Sequence, residues 1–249
     1  MNRFTKVKIL YYSILILMII ILHYIPISWP IKLLIFVVLA IDSYYILSLL
    51  IKRSRMNLLN KKCDPEAFVK RTREHRAITK PGKFFNLALR TEEADGLHLM
   101  GEFEKALEIL EDFNPEIFDK YPQLYRVVLA SKMSCLYELK RDEEARNIYD
   151  IFHSLPECDE FLGSVKEQKA LYKISNGELK DGLKLFEELY RYQKKENFKI
   201  QCAYQLAKTY EKLEDIENSK KYYEIAARGN EKMYAAREAR NYLRAREGK

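Results

Sequence analysis

The 249-residue chain is 48% hydrophobic and 32% charged, and its formal net charge is +7 at pH 7. The positive charge lies before residue 84: residues 52–83 hold eleven Lys or Arg against three acidic residues, whereas residues 84–249 carry a net charge of −4. A nucleic-acid-binding domain requires a basic surface, so this distribution argues against a nucleic-acid partner.

Two apolar stretches open the chain, at residues 9–25 and 33–51. About 20 apolar helical residues cross a roughly 30 Å hydrocarbon layer, so the second stretch is long enough and the first is at the lower limit. The connection, residues 26–30, is short and places Trp29 where an interfacial aromatic belongs. Residues 1–52 are therefore predicted to form a hairpin that spans the membrane twice. A cleavable signal peptide is the alternative interpretation, but no small-x-small cleavage site follows the first stretch.

Positive charge flanks the outer ends of both stretches. Arg3, Lys6 and Lys8 precede the first stretch and the basic segment follows the second, whereas Lys32 is the one cation near the turn. The positive-inside rule then predicts a cell-membrane protein with both termini in the cytoplasm. The abundance of Lys, Ile and Tyr is associated with AT-rich bacterial genomes.

Asp42 lies near the middle of the second stretch. An ionised carboxylate at that depth costs at least about 2.5 kcal/mol and has to face protein or water. A hydrogen bond from the hydroxyl of Tyr12 or Ser13 would satisfy it within the hairpin. The alternatives are a contact with another membrane protein or a second copy of this chain, and proton or ion handling.

Residues 53–83 are predicted to form a basic juxtamembrane linker with one short helix. The helix starts at Asp64, Pro65 and Glu66, a sequence that caps free amides and complements the helix dipole. An anionic lipid surface is the expected partner, each nearby cation contributing about 1 kcal/mol. A solvated linker helix without lipid specificity is the alternative. The cations concerned are Lys70, Arg71, Arg73 and Arg76.

One pattern recurs four times after residue 84. A turn residue is followed five positions later by a small residue and, four positions after that, by a large one. The small side chain lets two helices approach closely, and the large one fills the groove beside it. The turn, small and large residues are Gly101, Ala106 and Leu110; Lys140, Ala145 and Tyr149; Gly177, Gly182 and Phe186; and Glu214, Ser219 and Tyr223.

The pattern resembles the tetratricopeptide repeat (TPR), a helix-turn-helix unit of 34 residues. The resemblance covers about residues 87–233, and residues 231–246 are expected to form an amphipathic helix that caps the last unit. The predicted fold is all-α: a two-helix transmembrane hairpin, then a TPR-like α-solenoid of about four repeats with a C-terminal capping helix in residues 84–249. A non-repetitive helical bundle is the alternative.

The resemblance implies a protein or peptide partner on the concave face, which the first helix of each unit lines. The Lys and Asn that grip chaperone carboxyl termini in one TPR subclass are replaced by Thr91 and Asp95. The acidic first unit and the tyrosines further along predict a ligand with basic and apolar features. The positions carried over from the family are Thr91, Asp95, His98, Ala130, Ser134, Tyr137, Glu167, Leu171, Tyr204, Lys208 and Glu211.

The sequence contains no recognisable catalytic or metal-binding motif. A Gly-rich phosphate loop, a Gly-x-Ser-x-Gly elbow and a His-Glu-x-x-His pair are absent, and the four histidines are scattered. The four cysteines are widely spaced, as free cytoplasmic thiols would be, and nothing nearby completes a zinc site with Cys63 and His75.

We therefore expect no enzyme, cofactor or metal. An unrecognised enzyme would reveal itself by a pocket with convergent titratable groups. The expected function is a membrane-anchored adaptor or assembly factor for other proteins, with partners on the concave face and at the transmembrane hairpin. The alternative is a peptide or signal sensor coupled to a partner protein.

Overall fold

The computed structural model describes residues 3–156 and 162–247. Within these ranges the chain forms α-helices and no strand, which confirms the all-α prediction. The chain divides into two compact units at the Met56–Asn57 bond. The helices are α1 Arg3–Tyr24, α2 Trp29–Asn60, α3 Pro65–Arg76, α4 Phe84–Met100, α5 Phe103–Glu111, α6 Glu116–Lys120, α7 Pro122–Glu138, α8 Asp142–Ser154, α9 Leu162–Ser175, α10 Leu179–Tyr192, α11 Glu196–Lys212, α12 Ile216–Ala227 and α13 Tyr234–Glu247.

In the first unit, α2 runs back alongside α1. The Tyr11 hydroxyl donates to the carbonyl oxygen of Ala40 over 3.3 Å, and Lys32 Nζ donates to the carbonyl oxygen of His23 over 3.0 Å. Large apolar side chains along both helices are exposed. By length and composition α2 is able to cross a membrane, and α1 contributes a shorter apolar stretch at Ile9–Tyr24.

Helix α3 packs against α4 in the second unit. The Asp64 side chain accepts from the amide of Ala67 over 3.0 Å and caps α3. Phe68 and Val69 are buried. A Cβ atom at Gly96 would lie 2.4 Å from Val69 Cγ2, so a glycine is required where α4 meets α3. This helix, predicted to be part of a linker, therefore belongs to the core of the second unit.

Four helix pairs follow, and each pair turns in the same way. The pairs are α4 with α5, α7 with α8, α9 with α10, and α11 with α12. At each turn one residue has a left-handed backbone. The backbone amide of the residue after it donates a hydrogen bond to the carbonyl oxygen five residues earlier, which caps the C-terminus of the first helix. The left-handed residues are Gly101 (φ 86°), Lys140 (φ 59°), Gly177 (φ 84°) and Glu214 (φ 60°).

The small and large residues of the repeated pattern are buried in every pair. Three of the small residues are fully buried, and the fourth, Gly182, would place a Cβ 2.5 Å from Ile174 Cγ1. The Ser219 hydroxyl is satisfied by donating to the carbonyl oxygen of Ala207 over 3.1 Å. The helices of each pair thus pack closely where the pattern predicts. The large residues are Leu110, Tyr149, Phe186 and Tyr223, each at most 8% exposed.

The first helices of the four pairs each contribute residues to one side of the second unit, which we call its inner side. Helix α4 contacts α7, α7 contacts α9, and α11 contacts α13. Helix α13 also contacts α4, so the last helix of the unit reaches the first pair. The inner side is therefore covered at one end by α13.

Candidate functional site

The inner side of the second unit contains a small, partly open cavity lined by residues of all four helix pairs and α13. Its volume is about 30 Å³, which is room for one or two water molecules. The lining mixes polar and apolar side chains. They are His98, Leu99, Phe103, Ser134, Glu138, Glu167, Leu171, Gln201, Tyr204, Gln205, Met233, Tyr234 and Ala235.

Most of the predicted groove residues line this cavity or an adjoining recess of about 60 Å³. Leu171, Glu138 and Gln205 are shared by the cavity and the recess. Predicted residues from all four helix pairs therefore lie close together. The predicted residues in the cavity are His98, Ser134, Glu167, Leu171 and Tyr204, and the recess adds Tyr137 and Lys208.

The remaining predicted residues lie outside both spaces. Thr91 is buried and its hydroxyl donates to the carbonyl oxygen of Ala88 over 2.8 Å, and Ala130 is buried in the core. Asp95 accepts a hydrogen bond from the Ser131 hydroxyl over 2.6 Å. Glu211 accepts from the Tyr223 hydroxyl over 3.0 Å. The two carboxyl groups therefore join neighbouring helices.

Sequence reasoning missed several residues of the cavity. Glu138 lies one turn beyond Ser134, and Gln201 and Gln205 flank Tyr204 on α11. Residues three or four positions apart lie on the same face of a helix, so the sequence could have placed Glu138 beside Ser134 and Gln201 beside Tyr204. The contribution of α13 had no such signal, because Arg237 and the Met100 carbonyl that it contacts are 137 positions apart.

Two inner carboxyl groups are titratable near neutral pH. Burial raises the pKa of Asp95 to about 6, although the hydrogen bond from Ser131 opposes the shift. Burial, together with the negative charge of Asp95, raises the pKa of Glu167 to about 7. Burial lowers the pKa of His98, which favours a neutral imidazole. The inner side therefore disfavours charge on all three groups.

Glu138 joins α7 to α11 across the inner side. Its carboxylate accepts from Gln205 Nε2 over 2.5 Å and from Lys208 Nζ over 3.0 Å. The Glu138 side chain is 8% exposed and that of Lys208 is 33% exposed, so the ion pair is partly shielded from solvent. This bridge lies where the cavity and the recess meet.

Helix α13 is fastened to the first helix pair. The ring of Tyr234 meets that of Phe103 edge-on with centroids 4.9 Å apart, and Arg237 Nη2 donates to the carbonyl oxygen of Met100 over 3.2 Å. Just before α13, Lys232 pairs with Glu66 of α3 over 2.8 Å. These contacts hold α13 and the residue before it against the first helix pair and α3.

Two of the four residues predicted to contact lipid form ion pairs within the protein. Arg73 Nε and Arg76 Nη1 lie 2.7 and 3.2 Å from the carboxylate of Glu93, which is buried. Lys70 is exposed, and Arg71 has a partner within the structure. The paired arginines satisfy a buried charge, so their presence does not require a lipid.

Asp42 is exposed on α2. The Ser13 hydroxyl donates to the carbonyl oxygen of Ile9 over 2.9 Å, and the Tyr12 side chain is exposed. In the part of the hairpin that the structure describes, neither hydroxyl therefore forms the expected hydrogen bond to Asp42.

Three of the four cysteines lie within the described residues. There, no group of three or more His, Cys, Asp or Glu side chains is arranged to hold a metal ion. Cys63, Cys135 and Cys202 are buried free thiols, and Cys158 lies outside the described residues. Burial raises the pKa of Cys63 to about 11, so its unreactive thiol form predominates.

No protein-family model, curated protein or solved structure matches this chain.

Proposed function

We propose that the protein is a membrane-anchored adaptor or assembly factor. Helices α1 and α2 span the cell membrane as a hairpin with both termini in the cytoplasm, and the helix pairs form a TPR-like solenoid that holds a protein or peptide partner. Tethering raises the effective concentration of that partner at the membrane without requiring tight contacts.

The recurrence of one turn and one packing pattern carries the proposal. It is found in four helix pairs, and their first helices line a common cavity with polar groups. Stacked helix pairs with a shared inner surface are suited to binding extended partners. The anchor has separate support, because α2 is long and apolar enough to cross a membrane.

Asp42 supplies a second recognition point. Its exposed carboxylate on an apolar helix favours a basic or polar side chain of another membrane protein, since that contact would offset the cost of the charge. An adaptor that recruits a cytoplasmic partner to a membrane complex would use both surfaces.

The Glu138–Lys208 bridge joins α7 to α11 on the inner side, so a partner that binds there would compete with it. A partner with basic and apolar groups would compete with Lys208 for Glu138 and with the protein's own tyrosines for the apolar lining. Breaking the bridge should therefore favour the partner-bound state.

The test is a pull-down of the full-length protein from its native membrane, with Lys208→Met as the variant. Loss of one partly shielded ion pair is worth roughly 1 kcal/mol, so capture of the principal partner should rise about fivefold. Lys166→Met is the matched control, because Lys166 pairs with Glu188 over 2.7 Å between α9 and α10. A capture that is the same in wild type, Lys208→Met and Lys166→Met would contradict a partner site on the inner side.

The sensor alternative is favoured by one observation, the small volume of the cavity. In a sensor, a short peptide would displace α13 and widen this cavity. In a sensor, the bound peptide would decide whether a second protein binds. In an adaptor, the second protein would bind without that peptide. Capture that requires an added peptide would support the sensor.

A further inference from the structure

The connection between α3 and α4, together with the first two residues of α4, carries apolar side chains that are about half exposed. Ile78, Phe84 and Phe85 are 51%, 47% and 46% exposed. Lys80 and Lys83 are exposed beside them, and residues 78–85 contain no acidic residue. We call these five side chains the 78–85 patch. Its composition is that of a surface that meets both apolar groups and negative charge.

The patch is held in a defined shape. Asn86 Nδ2 donates to Thr79 Oγ1 over 2.7 Å, and the Thr79 hydroxyl donates to the carbonyl oxygen of Arg76 over 2.8 Å. The connection is therefore fixed to the end of α3 and the start of α4. Little conformational entropy would be lost when this patch binds a surface.

The two phenylalanines are also supported from behind. The Phe84 ring lies 5.0 Å from that of Tyr121, and the Phe85 ring lies 5.0 Å from the imidazole of His75. Lys120 adds a further cation, with Nζ 5.5 Å from the centre of the Tyr121 ring. About half of each phenylalanine side chain is thus braced, and the rest is presented to the surroundings.

A lipid surface suits these groups better than a protein does. Aromatic and aliphatic side chains enter the boundary between headgroups and acyl chains, while neighbouring lysines extend to anionic headgroups. The position of the patch in the chain favours a lipid surface. Helix α2 is able to cross a membrane and ends at Asn60, and the patch begins shortly afterwards at Ile78. That short tether keeps the patch at high effective concentration near a bilayer.

We propose that the 78–85 patch inserts into the surface of an anionic bilayer, with its apolar side chains among the acyl chains and its lysines at the headgroups. This contact relies on the proposed membrane anchor but goes beyond the proposed function, because it requires no protein partner. The proposal also places lipid binding at the 78–85 patch and not at the arginines of α3.

The test uses the full-length protein in nanodiscs and a single tryptophan reporter. The chain has one tryptophan, Trp29, so Trp29→Phe combined with Phe84→Trp places the only indole in the patch. Lipids carrying a quencher in the acyl chain should quench this indole in anionic discs. Trp29→Phe with Ile151→Trp is the control, because Ile151 is 46% exposed on α8, outside the patch.

Adding Lys80→Gln and Lys83→Gln should lower the ratio of inserted to free patch about 25-fold, since each cation contributes about fivefold. High salt should lower it as well. Protein that enters the discs but shows no quenching of the patch indole would overturn the insertion of the patch while leaving the anchor intact.

Equal quenching at position 151, or quenching that persists without the two lysines, would also overturn the proposal. A blue-shifted indole that lipid quenchers do not reach would mean that a protein covers the patch, and that result too would contradict insertion into lipid.

Discussion

Gly101→Ala is expected to lower the free energy of unfolding of the second unit by about 2–4 kcal/mol. Two causes combine at this position. The left-handed backbone, with φ 86°, disfavours any residue with a Cβ. The added Cβ would also lie 2.6 Å from Tyr234 Cδ2, so α13 would have to shift away from the first helix pair.

Gly177→Ala is the matched control for this prediction. Its φ is 84°, but beyond its chain neighbours a Cβ there would have no atom within 4 Å. It should therefore cost only the backbone strain, about 1–2 kcal/mol. Urea unfolding of the full-length variants in detergent, followed by far-UV circular dichroism, compares the two. Equal costs would contradict the packing of α13 on the first pair.

Asp95→Asn combined with Glu167→Gln should stabilise the second unit by about 1–3 kcal/mol at pH 8. Both carboxyl groups have pKa values raised by burial, to about 6 and about 7. A raised pKa means that the folded state binds protons more tightly than the unfolded state. The stability that these groups contribute is thus fully present at pH below about 4 and is lost as the pH rises to about 7.

The neutral side chains remove that loss, so the gain over wild type should be near zero at about pH 4 and largest at about pH 8. Thermal unfolding of both proteins across this range measures the difference. A control pair, Glu143→Gln and Asp150→Asn, lies at exposed positions of α8 and should show no comparable trend. A gain that does not vary with pH would show that the inner carboxyl groups are not desolvated.

The repeated packing was predictable because it depends on side-chain size at fixed intervals. Ala106 and Leu110 illustrate this, since a small residue followed one turn later by a large one is visible in the sequence. The left-handed turns at Lys140 and Glu214 were less visible, because neither residue is a glycine. There the tertiary packing of the helix pair outweighs the local cost of the conformation.

The packing of α3 was not predicted because the helix is rich in charged residues and its apolar face is small. Phe68, Thr72 and His75 recur at helical spacing and are buried, as are the neighbouring Val69 and Pro65. That spacing is the signature of a helix with one packed face. Two of the arginines that suggested lipid instead contact Glu93 of α4, which the sequence does not reveal as their partner.

The packing of α13 on the first helix pair could not be derived from the sequence. An amphipathic terminal helix predicts that one face is covered, but not which helix covers it. The contacts of Arg237 with Met100 and of Tyr234 with Phe103 join α13 to the first helix pair.

Photo-crosslinking of the full-length protein in its native membrane, with benzoylphenylalanine at position 201, tests partner binding on the inner side most directly. Gln201 lines the inner cavity, whereas Ile151, the control position, is exposed on α8. We predict a crosslinked partner from position 201 and none from position 151. A partner that crosslinks from position 151 and not from 201, or no partner from position 201, would contradict binding on the inner side.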